Sequence, residues 1–65
     1  MKLHIVWSGD YYHEGYSGHL ELNDGSCYGL CCLEHQVINV LLKVLPDAEL
    51  VIMNAQTKEM WEAGE

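Results

Sequence analysis

The sequence predicts a single α+β domain in which one helix packs on one face of a small, mostly antiparallel sheet. Three observations favour this fold class. The N-terminal segment alternates apolar and polar residues, an Asp-Gly pair marks a tight turn, and one long apolar segment has helical periodicity and ends at a proline. We expect the element order β-β-β-α-β-β, or β-β-α-β-β if the third strand is instead part of the helix.

The first strand is predicted at residues 2–7, where Leu3, Ile5 and Trp7 alternate with less apolar neighbours. The alternation indicates that one face of this strand is better buried than the other. The same pattern returns at residues 18–23, which predicts the second strand.

A hairpin turn is predicted at Asn23-Asp24-Gly25, because Asp-Gly suits a type I′ turn, in which both central residues need positive φ. The third strand then follows at residues 26–31. Ser26 is also an acceptable N-cap for a longer helix, so strand and helix both remain open for residues 26–32.

The helix is predicted from residue 33 to residue 45, because Pro46 disfavours helical geometry in the residue before it. Its apolar arc covers roughly half of the circumference, which is wider than a surface helix needs to cover one sheet. The residues predicted at the centre of the buried arc are Leu33, Val37, Leu41 and Val44.

Two more strands are predicted after the helix. Residues 49–54 are apolar on both faces, which is typical of a central or interface strand. After a turn at residues 55–58, residues 59–63 are predicted to form a final edge strand. Met60 and Trp61 then point to opposite faces, and the flanking glutamates protect the edge from pairing with other chains.

The chain is strongly acidic, with 10 Asp and Glu against 3 Lys and no Arg, and a net charge of −7. This charge repels the phosphates of nucleic acid and of anionic lipid, and arginine is the side chain best suited to bind phosphate. No apolar run reaches the length of a membrane span. The composition therefore argues against direct binding of nucleic acid or membrane and favours a basic protein partner. A role in solubility explains the acidity equally well.

The size of the chain predicts one domain, residues 1–65, with a small core, because so short a chain buries only about 60% of its unfolded surface. Such domains often gain stability from a second subunit, so we expect a homodimer or larger homo-oligomer. The three cysteines are odd in number and no secretory segment is recognisable, which predicts a cytoplasmic protein with reduced thiols.

The segment 8–18 is the strongest candidate for partner binding, because its tyrosines lie among Ser and Gly, a composition that recognition loops favour. The alternative is that the first two strands simply continue into a longer hairpin that turns near Glu14-Gly15, with tyrosines paired across the strands. The residues predicted to contact a partner are Asp10, Tyr11, Tyr12, Glu14, Tyr16, Glu21, Glu59 and Glu62.

Cysteine and histidine residues provide the weaker candidate for a site. Cys31 and His35 are four residues apart and share a face on a helix. The spacing C-x3-C-C-x2-H matches no familiar zinc pattern, and a complete site needs another ligand from His4, His13 or His19. The metal-site candidates are Cys27, Cys31, Cys32 and His35. We nevertheless predict no metal and no cofactor.

No catalytic residue is predicted, because the cysteines lack a recognisable oxyanion loop and the glycine pairs lack the lysine of a phosphate-binding loop. We therefore expect a protein-binding module and not an enzyme. In its specific form, the hypothesis is that the protein is an inhibitor encoded by a phage or mobile element. It would imitate the charge of nucleic acid and bind the basic cleft of a nucleic-acid-handling protein. The alternative is a small-ligand or metal-binding homo-oligomer.

Overall fold

A computed structural model describes residues 1–64, which form a four-stranded mixed sheet and two helices. The predicted α+β fold is confirmed. The strands have the order β3-β2-β1-β4; β1 and β3 are antiparallel to β2, and β4 is parallel to β1. The elements are β1 Lys2–Asp10, β2 His13–Glu21, β3 Cys27–Leu33, α1 His35–Val44, β4 Glu49–Ile52 and α2 Ala55–Ala63.

The hairpin of β1 and β2 is longer than the two predicted strands. The strands pair continuously from Lys2 opposite Glu21 to Asp10 opposite His13. The segment 8–18 is therefore mostly paired strand, and the chain turns at residues 11–12 instead of near Glu14-Gly15.

The second turn also differs from the prediction. Gly25 has a φ of 91°, whereas Asp24 has negative φ, so the turn is not type I′. The Gly25 N–H donates to the Leu22 carbonyl at 3.1 Å, and the Leu22 N–H donates to the Ser26 carbonyl at 2.8 Å. This pattern is a type I turn followed by a left-handed glycine, which is the usual three-residue hairpin loop. Strand β3 follows, so the alternative of an extended helix over residues 26–32 is wrong.

The core lies between the sheet and the helices. Leu3, Ile5, Tyr16 and Ile38 are its buried apolar residues, and Ile38 is the buried residue of α1. The predicted centre of the helix arc is only partly correct, because Leu33 and Leu41 pack against the core whereas Val37 and Val44 are exposed. Helical periodicity could not choose between neighbouring faces of so wide an apolar arc.

The predicted final strand is wrong, since residues 55–63 form α2. Asn54 is the N-cap, and its side-chain oxygen accepts hydrogen bonds from the N–H and the hydroxyl of Thr57 at 2.8 and 2.6 Å. The buried Thr57 hydroxyl also accepts from the N–H of Trp7 at 2.8 Å, which joins the helix to β1. Strand β4 is thus an edge strand and not a central one.

The two helices in residues 1–64 pack on the same face of the sheet. On the other face, the rings of His4 and His19 stack at 4.2 Å, and His4 Nε2 lies 3.4 Å from a carboxylate oxygen of Glu21. Neither helix of residues 1–64 has the length and apolar composition that a membrane span requires.

Candidate functional site

The hairpin end is the end of the sheet at which β1 finishes with Asp10 and β2 starts with His13. Tyr11 and Tyr12 form the turn there, with 89% and 84% of their surfaces exposed. Their rings meet edge to face at 4.8 Å. Neither has positive φ, so the turn is not one of the primed types that two-residue hairpins favour. Turn geometry therefore does not explain the choice of tyrosine at either position.

A cavity of about 420 Å³ opens at the same end, between the sheet and the two helices. Glu14 and Glu34 contribute carboxylates to its wall, and no residue of 1–64 that lines it is a lysine. The apolar part of the wall comes from aromatic rings and from Met60. This combination suits a group that is positively charged at one end and apolar along its length, such as a lysine or arginine side chain. The lining residues are Trp7, Glu14, Gly15, Tyr16, Glu34, His35, Met60 and Gly64.

Four aromatic rings hold the wall of this cavity in place. His35 stacks on Trp61 with the ring centres 3.9 Å apart and the planes nearly parallel. Tyr16 meets Trp61 edge to face at 5.6 Å and Trp7 at 5.1 Å. Burial raises the pKa of Tyr16 above its ordinary value, so its phenol stays protonated at neutral pH. Tyr16 therefore adds no charge to the wall between the two carboxylates.

His35 belongs to this aromatic cluster and not to the cysteines. Its Nδ1 is buried and has no hydrogen-bond partner in residues 1–64. Gly64 packs closely against that nitrogen, because a Cβ on Gly64 would come within 2.6 Å of it. The predicted pairing of His35 with Cys31 on one helix face does not form, since Cys31 lies in β3.

A second group of side chains meets at the hairpin end. The Sγ atoms of Cys31 and Cys32 are 3.1 Å apart, and His13 Nδ1 is 3.8 Å from the Sγ of Cys32. One ligand atom from each of the three residues lies within 4.8 Å of the other two. Cys27 is at the other end of β3, where it pairs with Glu21, so it takes no part in this cluster.

The backbone of Cys32 explains why two consecutive cysteines point to the same place. Successive residues of a regular strand point to opposite faces, which would separate the two Sγ atoms. Cys32 has a φ of 58°, and the pairing of β2 with β3 shifts register at Tyr16 and Gly18. Such bulges re-aim side chains. Gly15 permits the close approach, because a Cβ there would lie 2.9 Å from the Cys32 carbonyl carbon.

The hydrogen bond with the Cys31 side chain, desolvation, and repulsion by an ionised Cys31 raise the pKa of Cys32 above its ordinary value. A positive ion between the two sulfur atoms would have the opposite effect and favour the thiolates over the thiols.

The eight predicted partner-binding residues occupy several places. Asp10, Tyr11, Tyr12 and Glu14 are exposed at the hairpin end, while Glu59 and Glu62 are exposed on α2. Glu21 is at the opposite end of the sheet beside His4.

Tyr16 is 98% buried in the core, because it pairs with Trp7 on the sheet face that carries Leu3 and Ile5 and so points toward the helices. It has no surface to offer a partner, and the prediction of Tyr16 as a contact residue is corrected.

Sequence reasoning missed Glu34 and Trp7 as cavity residues. It named His13 only as one of three histidines that could complete a cysteine site, because no spacing rule links it to Cys32, 19 residues away.

Comparison of the chain with protein-family models, with curated proteins and with solved structures found no match.

Proposed function

We propose that the protein is an acidic protein-binding module that uses the hairpin end to bind a basic surface of a partner. The observation that carries the proposal is the exposed tyrosine pair at residues 11–12. A chain with so small a core gains from burying each aromatic ring, yet these two project into solvent. Tyrosine gives a large contact area at low entropic cost and is common among the residues that dominate interfaces.

The acidic cavity supplies the second contact. A lysine or arginine side chain of the partner would place its charged head beside Glu14 and Glu34, with its aliphatic part against the ring of Trp7. The net charge of −7 adds long-range attraction to a positive surface and raises the association rate at low salt. Binding therefore needs no reacting group, and the proposal makes the protein a module that binds rather than an enzyme.

Binding of a hexa-arginine peptide tests this proposal in a defined system. Trp7 lines the cavity, so its fluorescence reports occupancy in a Trp61→Phe background. We expect the Tyr11→Ser/Tyr12→Ser protein to bind roughly fivefold or more weakly, and Glu14→Gln roughly two- to fivefold more weakly. Affinity should also fall as the salt concentration rises.

Matched controls come from the opposite end of the sheet. Tyr28 is an exposed tyrosine of β3, and Glu49 is an exposed glutamate at the start of β4. Tyr28→Ser and Glu49→Gln make the same chemical changes far from the cavity and should leave the affinity unchanged. Equal losses in test and control variants would mean that net charge alone drives binding, and the proposed site would be lost.

The specific form of the proposal is that the partner handles nucleic acid and that this protein inhibits it by occupying the nucleic-acid cleft. Carboxylates around Tyr11 and Tyr12 would then take the place of phosphates. The wild-type chain should capture such a protein from extracts of its own host and displace labelled duplex DNA from it, whereas Tyr11→Ser/Tyr12→Ser should do neither. Capture of a partner without displacement of DNA would reject the inhibitor hypothesis and leave only the proposal of a protein-binding module.

A homo-oligomer with a ligand or metal site is the second candidate, and one surface favours it. Val37, Val40 and Val44 follow the helical spacing i, i+3, i+7 on α1, and Val40 and Val44 are 56% and 68% exposed. If these three valines join two chains, light scattering at micromolar concentration should give twice the chain mass. Val40→Glu should then restore the monomer. A wild-type monomer would remove this candidate.

A further inference from the structure

We propose that His13, Cys31 and Cys32 form a binding site for a thiophilic metal ion, with Zn²⁺ as the ion to test. Two sulfur atoms and one imidazole nitrogen from a single chain already converge at the hairpin end, with the closest pairs at 3.1 and 3.8 Å. Cysteine and histidine are the preferred ligands of Zn²⁺. This site is separate from the acidic cavity and from the peptide-binding proposal.

The distances are close to those that Zn²⁺ needs. Zn–S bonds of about 2.3 Å and Zn–N bonds of about 2.0 Å in a tetrahedron place two sulfurs about 3.8 Å apart and sulfur and nitrogen about 3.5 Å apart. The Sγ atoms of Cys31 and Cys32 must therefore separate slightly, and His13 Nδ1 must move slightly closer to the Sγ of Cys32. All three residues are at least partly exposed, so rotation of their side chains can provide these shifts.

The backbone supports a binding role for the cluster. Within residues 1–64, Cys32 is the only residue other than glycine with positive φ. Residues held in such conformations cost free energy and concentrate at sites where the side chain must point in one direction. At Cys32 the conformation brings Sγ to the same side as the Sγ of Cys31, and Gly15 leaves room for it. A regular strand in this place would have avoided the strain and separated the thiols.

The chemistry of binding balances without an oxidant or reductant. Zn²⁺ displaces the protons of the Cys31 and Cys32 thiols into solvent and forms two Zn–S bonds, while neutral His13 gives the lone pair of Nδ1. The fourth position of the tetrahedron is then filled by water, as in zinc sites that have three protein ligands. The bound ion would tie β3 to the start of β2, next to Tyr12.

The test is titration of the reduced protein with Zn²⁺ in competition with a chromophoric chelator, and with Co²⁺ as a spectroscopic probe. We expect one ion per chain, a thiolate-to-Co²⁺ charge-transfer band, and release of protons on binding. Cys32→Ser should abolish the charge-transfer band or shift it strongly. Loss of the His13 ligand in His13→Ala should weaken Zn²⁺ binding at least about tenfold, since even the loss of a second-shell partner costs that much.

The chain provides matched controls for both residue types. Cys27→Ser removes an exposed cysteine at the far end of β3, and His19→Ala removes a histidine farther along β2, where it stacks on His4. Both variants should bind Zn²⁺ as the wild type does, with circular dichroism confirming that every variant is folded. The proposal is overturned if the wild type binds no Zn²⁺ at micromolar concentration, if Cys27→Ser lowers affinity as much as Cys32→Ser, or if the ion is found only between two chains.

Discussion

The two ends of the sheet use their turns in different ways. At the end opposite the hairpin end, where β2 turns into β3, the Asp24 carboxylate accepts a hydrogen bond from the Ser26 N–H at 2.9 Å. Gly25 has the φ that this turn needs, and the N-terminal amino group donates to the side chain of Asn23. At the hairpin end, the turn consists of exposed tyrosines, and Cys32 is in a strained conformation.

The difference indicates what each end contributes. Polar groups at the opposite end satisfy one another, so its residues stabilise the fold. Side chains at the hairpin end are left available to other molecules, at some cost to stability. Substitutions should separate these roles. A substitution in the core between the two ends gives the largest loss of stability, against which the effects at each end can be compared.

Ile38→Ala should have the largest effect on stability, because Ile38 is fully buried between α1 and the sheet. We expect the free energy of unfolding in urea to fall by about 2–5 kcal/mol, which is much of the total for a domain of this size. Val40→Ala, at an exposed position of the same helix, is the control and should change stability little. Similar losses for both variants would mean that α1 packs through another face.

Thr57→Val should lower the free energy of unfolding by about 1–3 kcal/mol, because it leaves the partly buried N–H of Trp7 without its acceptor. Thr57→Ser keeps the hydroxyl and should cost less. This pair tests whether α2 is fixed to β1 by that hydrogen bond. If valine is tolerated as well as serine, packing alone holds the helix.

Asp24→Ala should destabilise the opposite end in a pH-dependent way. The hydrogen bond from the Ser26 N–H lowers the pKa of Asp24 below its ordinary value. The carboxylate thus contributes stability above its unfolded pKa, and this contribution is lost as the pH falls through the folded value. Wild type and Asp24→Ala should differ in melting temperature at neutral pH and converge in acid. Asp47→Ala, in another exposed loop, should show no such pH dependence.

Tyr11→Ser/Tyr12→Ser should have the smallest effect on stability, within about 0.5 kcal/mol, since the two side chains are almost fully exposed. Urea unfolding measures this directly. The same variant should show the loss of peptide binding described above. A large loss of stability would show that the tyrosines hold the hairpin together, and the contrast between the two ends would disappear.

The sequence alone determined the fold class and several elements. Alternation in β1, the helical segment ended by Pro46 and the glycine turn at residue 25 are local signals, and local signals act through backbone preferences that neighbouring residues share. The sequence also contained the signal for α2, because Asn54 is a good N-cap and helix-forming residues follow it. The short pattern around Trp61 predicts a strand instead, and that prediction is wrong.

Only the tertiary structure decided which surfaces meet. The apolar arc of α1 was wide enough for several faces, and the position of the sheet selected Ile38 for burial. The buried position of Tyr16 followed from the register of a hairpin longer than its local pattern indicated. The meeting of His13 with Cys31 and Cys32 depends on a bulge between β2 and β3 and on one positive φ. Such features arise from contacts between distant residues, which spacing along the chain does not encode.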